Sequence, residues 1–230
     1  MIYFEIVSLF PQVFKDYFNQ SIIKRAQGNK LIKITVYNLR DYTKDKHKKV
    51  DDCPYGGGPG MVIKVEPLAR AITTILATKP KIKKNKTKIV LFSPAGRQFD
   101  NEIARNLATN YQRIILICGR YEGIDQRIEK VIRDLGYKIQ EISIGPYVLS
   151  GGEIPAMVLV DCVCRHIKGV LGKFQSLEEE RLGVGVPVYT HPEVFIWKGK
   201  KYRVPKVLLS GHHQKIEEWR KKHRRVVVKS

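Results

Sequence analysis

Residues 141–161 read EISIGPYVLSGGEIPAMVLVD, and the reading of this stretch decides the fold. The first residues are strand-like, the glycines make a turn, and the apolar remainder makes a helix. Strand–turn–helix units of this kind belong to sheets in which strands and helices alternate. Two nucleotide-binding signatures are missing: no GxGxxG follows the strand and no GKS or GKT opens the helix. The turn offers backbone amides and carbonyls beside Ile144, Tyr147 and Leu149, with few charges.

The same alternation extends outward along the first two-thirds of the chain. Strands are expected at 2–9 (IYFEIVSL), 30–39 (KLIKITVYNL), 87–93 (TKIVLFS), 113–118 (RIILIC) and 137–145 (YKIQEISIG). RIILIC is almost entirely apolar, as strands covered on both faces of a parallel sheet are. A helix is expected from Pro11, which suits a first turn, to a glycine stop at Gly28. Others cover 64–78, 99–110 (capped by Asp100 or Asn101), 125–136 and 153–167, the last apolar on more than one side and so well buried. The pattern implies an α/β domain with a largely parallel sheet over 1–168. A Gly- and Glu-rich linker follows at 169–188, then a small, basic, mostly helical domain at 189–230. Its clearest helix starts near Ser210 or Gly211 and runs through HHQKIEEWRKKHRR.

The 230 residues are 43% hydrophobic, enough for a substantial core. No run approaches the ~18 apolar residues of a membrane span. The first residues, MIYFEIVSLFPQVF, lack the basic lead of a signal peptide, so a cytoplasmic location is expected. Lys and Arg total 42 against 22 acids, a formal charge of +20, which points to a polyanionic partner, most often nucleic acid. Cys53, Cys118, Cys162 and Cys164 form no CxxC, and buried free thiols are expected. No structural zinc is expected.

Three loops stand at the C-terminal ends of expected strands: SPAGRQF (93–99), CGRYEGID (118–125) and SIGPYVLSGGE (143–153). Ligands bind there in open α/β sheets. Each loop carries glycine, so backbone can approach a ligand closely. None supplies the lysine and hydroxyl that a triphosphate with Mg2+ requires. Their groups suit a folded, mostly uncharged ligand with an adenine edge to read. A fourth loop, DKHKKVDDCPYGGGPGMVIK, sets lysines and His47 before Asp51 and a run of glycines that includes Gly58 and Gly60. Such a loop suits an RNA backbone, with Tyr55 available for stacking.

Six segments occur in one order: DDCPYGGGPGM, SPAGRQF, CGRYEGIDQR, EISIGPYVLSGGEIPAM, GVLGK and VLLSGHHQKIEEWR. Together they resemble the bacterial tRNA (guanine-N1)-methyltransferases, members of the SPOUT class, over nearly the whole chain. The resemblance implies a deep trefoil knot in the α/β domain, an obligate homodimer, and S-adenosylmethionine as methyl donor. It implies donor contacts from Pro94 and Gly96, from Gly119, Tyr121, Glu122 and Gly123, and from Ile144, Gly145, Tyr147, Leu149, Gly151 and Gly152. It implies tRNA contacts from His47, Asp51, Gly58, Gly60 and His213. Magnesium dependence is also implied, but no ligand cluster is identifiable in the sequence.

Methylation at guanine N1 must remove a proton and stabilise charge on O6, so it needs a general base and a cation or donor. The resemblance places the cation at Arg165 and the base at Glu180, where the family's Asp-Ser-Phe reads Glu-Arg-Leu here. Glu179 is a second candidate. Pro146 stands where many relatives carry an acid. Two alternatives stay open: an RNA-binding homologue that has lost catalysis, and a knotted methyltransferase acting on another RNA site.

Overall fold

The computed structural model describes residues 1–78, 80–171 and 185–224. The chain divides into two compact units, Met1–Leu171 and Gly172–Ser230. In the first, the strands are β1 (Ile2–Ser8), β2 (Ile32–Asn38), β3 (Asp51–Asp52), β4 (Val62–Ile63), β5 (Thr87–Gln98), β6 (Arg113–Ile117) and β7 (Ile139–Ser143). Its main helices are α1 (Ser21–Gly28), α2 (Val65–Ala77), α3 (Asn101–Asn110), α4 (Arg127–Asp134) and α5 (Glu153–Arg165). Five strands form one sheet in the order β2-β1-β6-β5-β7, and every neighbouring pair is parallel. β3 and β4 form a small antiparallel pair of their own.

β6 explains why the sheet is legible as an apolar run. All five of its residues are buried. Ile114 and Leu116 point into one core cluster, with Ile103, Leu107, Leu159 and Val163 of α3 and α5. Ile115 and Ile117 point into the other, with Leu68, Ile72, Ile128 and Ile132 of α2 and α4. Burying one such side chain contributes roughly 1.5–3 kcal/mol. The centre of the sheet is therefore a stiff frame, and the loops at its C-terminal edge hang from it.

The structure departs from the sequence expectations in several places. The single helix expected from Pro11 to Gly28 is broken into a 3-10 turn at Pro11–Phe14, a short helix at Lys15–Phe18, and α1. Ser21, with φ +47°, makes the break without any glycine or proline. β5 does not stop at Ser93 but continues through the expected loop to Gln98. It pairs with β7 up to Phe92↔Ile142 and again at Arg97↔Ile142 and Gln98↔Ser143. Residues 93–96 bulge out between, because Pro94 has no N–H for the ladder. α5 is apolar on several sides, yet Ile154 and Val158 remain exposed.

The second unit has α6 (His213–Lys222) preceded by a short helix at Lys206–Leu209, and also a hairpin of β8 (Val194–Trp197) and β9 (Lys200–Arg203) that periodicity did not reveal. No helix among the described residues is long and apolar enough to cross a membrane.

Candidate functional site

Because β5, β6 and β7 are parallel neighbours, the segments leaving them gather on one edge. Ser93 and Pro94, residues 119–124, and residues 141–145 and 147–152 line a single cavity of about 430 Å³. The third segment leaves β7 at the sheet edge, passes the end of β5 and closes on β6. There Gly152 N–H donates to Gly119 O at 3.0 Å, and Gly151 pairs antiparallel with Arg120. Only glycine fits at 152: a Cβ would lie 2.6 Å from the Cys118 Cα. Within the same segment, Ser143 Oγ donates to Gly145 O at 2.9 Å and Tyr147 Oη donates to Ile144 O at 3.2 Å. These bonds hold the turn in one shape before any ligand arrives.

Of the twelve residues expected around a donor, every one but Gly96 lines this cavity. Gly96 sits instead where β5 crosses β7, and a Cβ there would lie 2.6 Å from Ile142 N. Its part is to let the bulged strand rejoin the sheet, which positions Pro94.

A buried carboxylate ties the second and third segments together. Glu153 opens α5, where the helix N-terminus favours negative charge, and is only 5% exposed. Ser8 Oγ donates to Glu153 Oε1 at 2.8 Å, and Arg120 Nε lies 3.4 Å from Oε2. The Arg120 guanidinium stacks on Phe10 at 4.4 Å. Sequence reasoning missed Ser8, Arg120 and Glu153. An acid in the first turn of a helix is common on surfaces, and only burial distinguishes this one.

The glycine-rich fourth loop is fastened to the cavity rim at its base. Glu122 N–H donates to Met61 O at 3.1 Å, Ile63 N–H to Gly123 O at 3.1 Å, and Asp125 N–H to Ile63 O at 2.9 Å. Tyr121, itself at φ +58°, has its phenol pushed up by burial and by a bond to Asp51. Gly60 lies against Glu122. Two of the expected RNA contacts, Asp51 and Gly60, thus meet the rim. His47 and Gly58 stand out in solvent, and His213 begins α6 in the second unit.

The sequence model of the family described as tRNA (Guanine-1)-methyltransferase TrmD matches residues 2–229. The chain belongs to this family. Similar proteins named tRNA (guanine-N(1)-)-methyltransferase come from Dictyoglomus turgidum (49% identical over 225 residues, 96% of this chain and 84% of that one), Alkaliphilus oremlandii (47% over 222 residues, 94% and 85%) and Geobacter sulfurreducens (45% over 221 residues, 95% and 84%).

Of the two expected catalytic residues of this methyltransferase family, one lies among the described residues. Arg165 is the last residue of α5, half-buried, and outside the cavity lining. Glu180 and Glu179 lie outside the described residues. None of the four cysteines forms a disulfide, and Cys53, expected to be buried, is exposed. Among the described residues, no group of three His, Cys, Asp or Glu gathers to hold a metal ion.

Proposed function

We propose that the chain transfers a methyl group from S-adenosylmethionine to N1 of the guanosine 3′ of the anticodon. The observation that carries this reading is the cavity made jointly by three strand-end segments, with rigid turns, apolar walls and two carboxylates, Glu122 and Glu141, in its lining. The donor's chemical contribution is an electrophilic methyl on a cationic sulfur. Glu122 suits that positive charge, and the carbonyls and amides of 144–152 suit an adenine edge.

The remaining chemistry falls to side chains. Glu180 takes the N1 proton, and Arg165 faces the charge that develops on O6. Glutamate has the proton affinity of the family's aspartate within a fraction of a pKa unit but reaches one methylene further. Magnesium is given no step.

The proposed site is shared between two chains. Pro155 of α5 lines the cavity and Arg165 lies ten residues on, about 15 Å along α5 at 1.5 Å per residue. A homodimer resolves the separation, with a second copy bringing its own Arg165 to the cavity. Val13, Tyr17, Ile154 and Val158 are exposed on the packed pair formed by α5 and the 11–18 segment, and suit such an interface. Tyr17 is held there by donating to Asp161 at 2.6 Å, a bond that, with burial, pushes its phenol up to about 12. The same reading includes the trefoil knot, for which the passage of residues 144–152 past β5 onto β6 speaks, and a cytoplasmic site of action on tRNA.

Subunit complementation tests the shared site. Ile144→Trp fills the cavity and Arg165→Ala removes the cation. Each variant alone should be inactive, and co-expressed heterodimers should regain methyl transfer. Failure of the mixture, with dimers verified, would place the whole site within one chain.

A further inference from the structure

The β8–β9 hairpin carries a surface that the donor site does not use. Its register pairs Phe195 with Tyr202 and Trp197 with Lys200. Side chains alternate across a strand, so Phe195, Trp197, Tyr202 and Lys200 share one face. Phe195 stacks with Trp197 at 6.2 Å between centroids and 17° between planes, and Phe195 meets Tyr202 at 6.3 Å. Cross-strand aromatic pairs help hold a short hairpin. That accounts for one flank of each ring and not the other: Phe195, Trp197 and Tyr202 are 52%, 58% and 53% exposed.

Charge says what the open flank meets. Residues 194–203 hold Lys198, Lys200, Lys201 and Arg203 and no acid. The turn is Lys198–Gly199 with φ +49° and +75°, a left-handed pair that asparagine and glycine fill most easily. A lysine stands at the tip in spite of that preference. Over residues 185–224 there are ten Lys and Arg against three Glu.

We propose that the aromatic face of the β8–β9 hairpin is a stacking platform for unpaired RNA bases, with its lysines and Arg203 tracking the adjoining phosphates. Exposed rings flanked by cations are how proteins hold single-stranded RNA, whereas a duplex hides its base faces. The inference rests on tRNA as the substrate and adds where a looped segment of it docks.

The chain has two tryptophans, so Trp219→Phe leaves Trp197 as the only one. In that background, Trp197 emission should be quenched by an unmodified tRNA transcript and by an unstructured oligoribonucleotide, and little by a blunt RNA duplex. Trp197→Leu keeps apolar bulk without a ring, and should weaken tRNA binding on the order of tenfold with donor affinity unchanged. Lys198→Asn improves the turn and removes one cation, so it should reduce the slope of log affinity against log salt by about 0.7. Normal tRNA methylation with unchanged Trp197 emission would overturn the platform and leave the proposed function standing. So would quenching by raised protein concentration alone, or by anionic vesicles and not RNA. Quenching by the oligoribonucleotide in a protein that methylates no tRNA would keep the platform and reject the substrate.

Discussion

Two glycine-rich segments of the first unit look alike in sequence and differ in physical role. In residues 143–153, glycine is needed because something is close: a Cβ at Gly152 would collide with the β6 backbone extension at Cys118. In residues 51–61, Gly56, Gly57 and Gly58 have nothing within 4 Å of a Cβ, yet all have positive φ, and Tyr55 beside them is 98% exposed. One segment uses glycine to pack backbone on backbone. The other uses it to hold a left-handed path through open solvent. The first lines a fixed pocket, which in the proposed function holds the methyl donor. The second stands open to solvent, with its base tied to the pocket rim at Met61 and Ile63, and in the proposed function it lies against the tRNA.

The sharpest way to break this contrast is to add one methyl to each. Gly152→Ala has an ordinary backbone angle, so its effect is purely steric, and the obstructing atom is main chain. Overpacking of that kind costs about 1–3 kcal/mol. Donor binding by calorimetry should fall tenfold or more, with a clear drop in melting temperature. Arg120→Ala should come next. It leaves the buried Glu153 carboxylate with Ser8 alone, and breaking a buried pair costs about 3–5 kcal/mol. Arg120 is 26% exposed, so about 2 kcal/mol is expected, read in the unfolding midpoint, with weaker donor binding. Gly57→Ala should do less to the fold. A side chain at its φ of +79° costs roughly 1–2 kcal/mol, confined to the loop. tRNA affinity or kcat/KM should fall severalfold while donor affinity stays at the wild-type value. Equal loss of donor binding in Gly57→Ala and Gly152→Ala would erase the distinction.

The smallest effect is chemical. Cys53 is exposed in the open loop, while Cys118 is 3% exposed under Gly152, and burial pushes its thiol well up. A raised thiol stays protonated and unreactive at pH 8. Maleimide should label Cys53 and spare Cys118. In Gly152→Ala, labelling of Cys118 would show that the packed contact has opened.

The sheet was legible because burial on both faces leaves a continuous apolar run, as in RIILIC. The cavity-lining segments were legible because glycine after a strand marks the ligand edge of such sheets. The rest was hidden for specific reasons. Pro94 inside β5 reads as the end of a strand, and only the bulge with Gly96 beyond it lets pairing resume with β7. Glu153 reads as a surface acid at a helix start, because its neighbours Ser8 and Arg120 are distant in sequence. The break at Ser21 has no glycine or proline to announce it. The β8–β9 hairpin turns on Lys-Gly rather than Asn-Gly, and its lysines obscure the aromatic alternation.

The most direct test of the central claim is methyl transfer from labelled S-adenosylmethionine to an unmodified tRNA transcript, followed by nuclease digestion and mass analysis. One methyl per transcript is expected, recovered as N1-methylguanosine, and none when the guanosine after the anticodon is replaced by adenosine. Glu180→Ala should abolish transfer while the cavity still binds the donor. Label on another nucleoside or on a ribose, or binding of both ligands with no transfer, would contradict it.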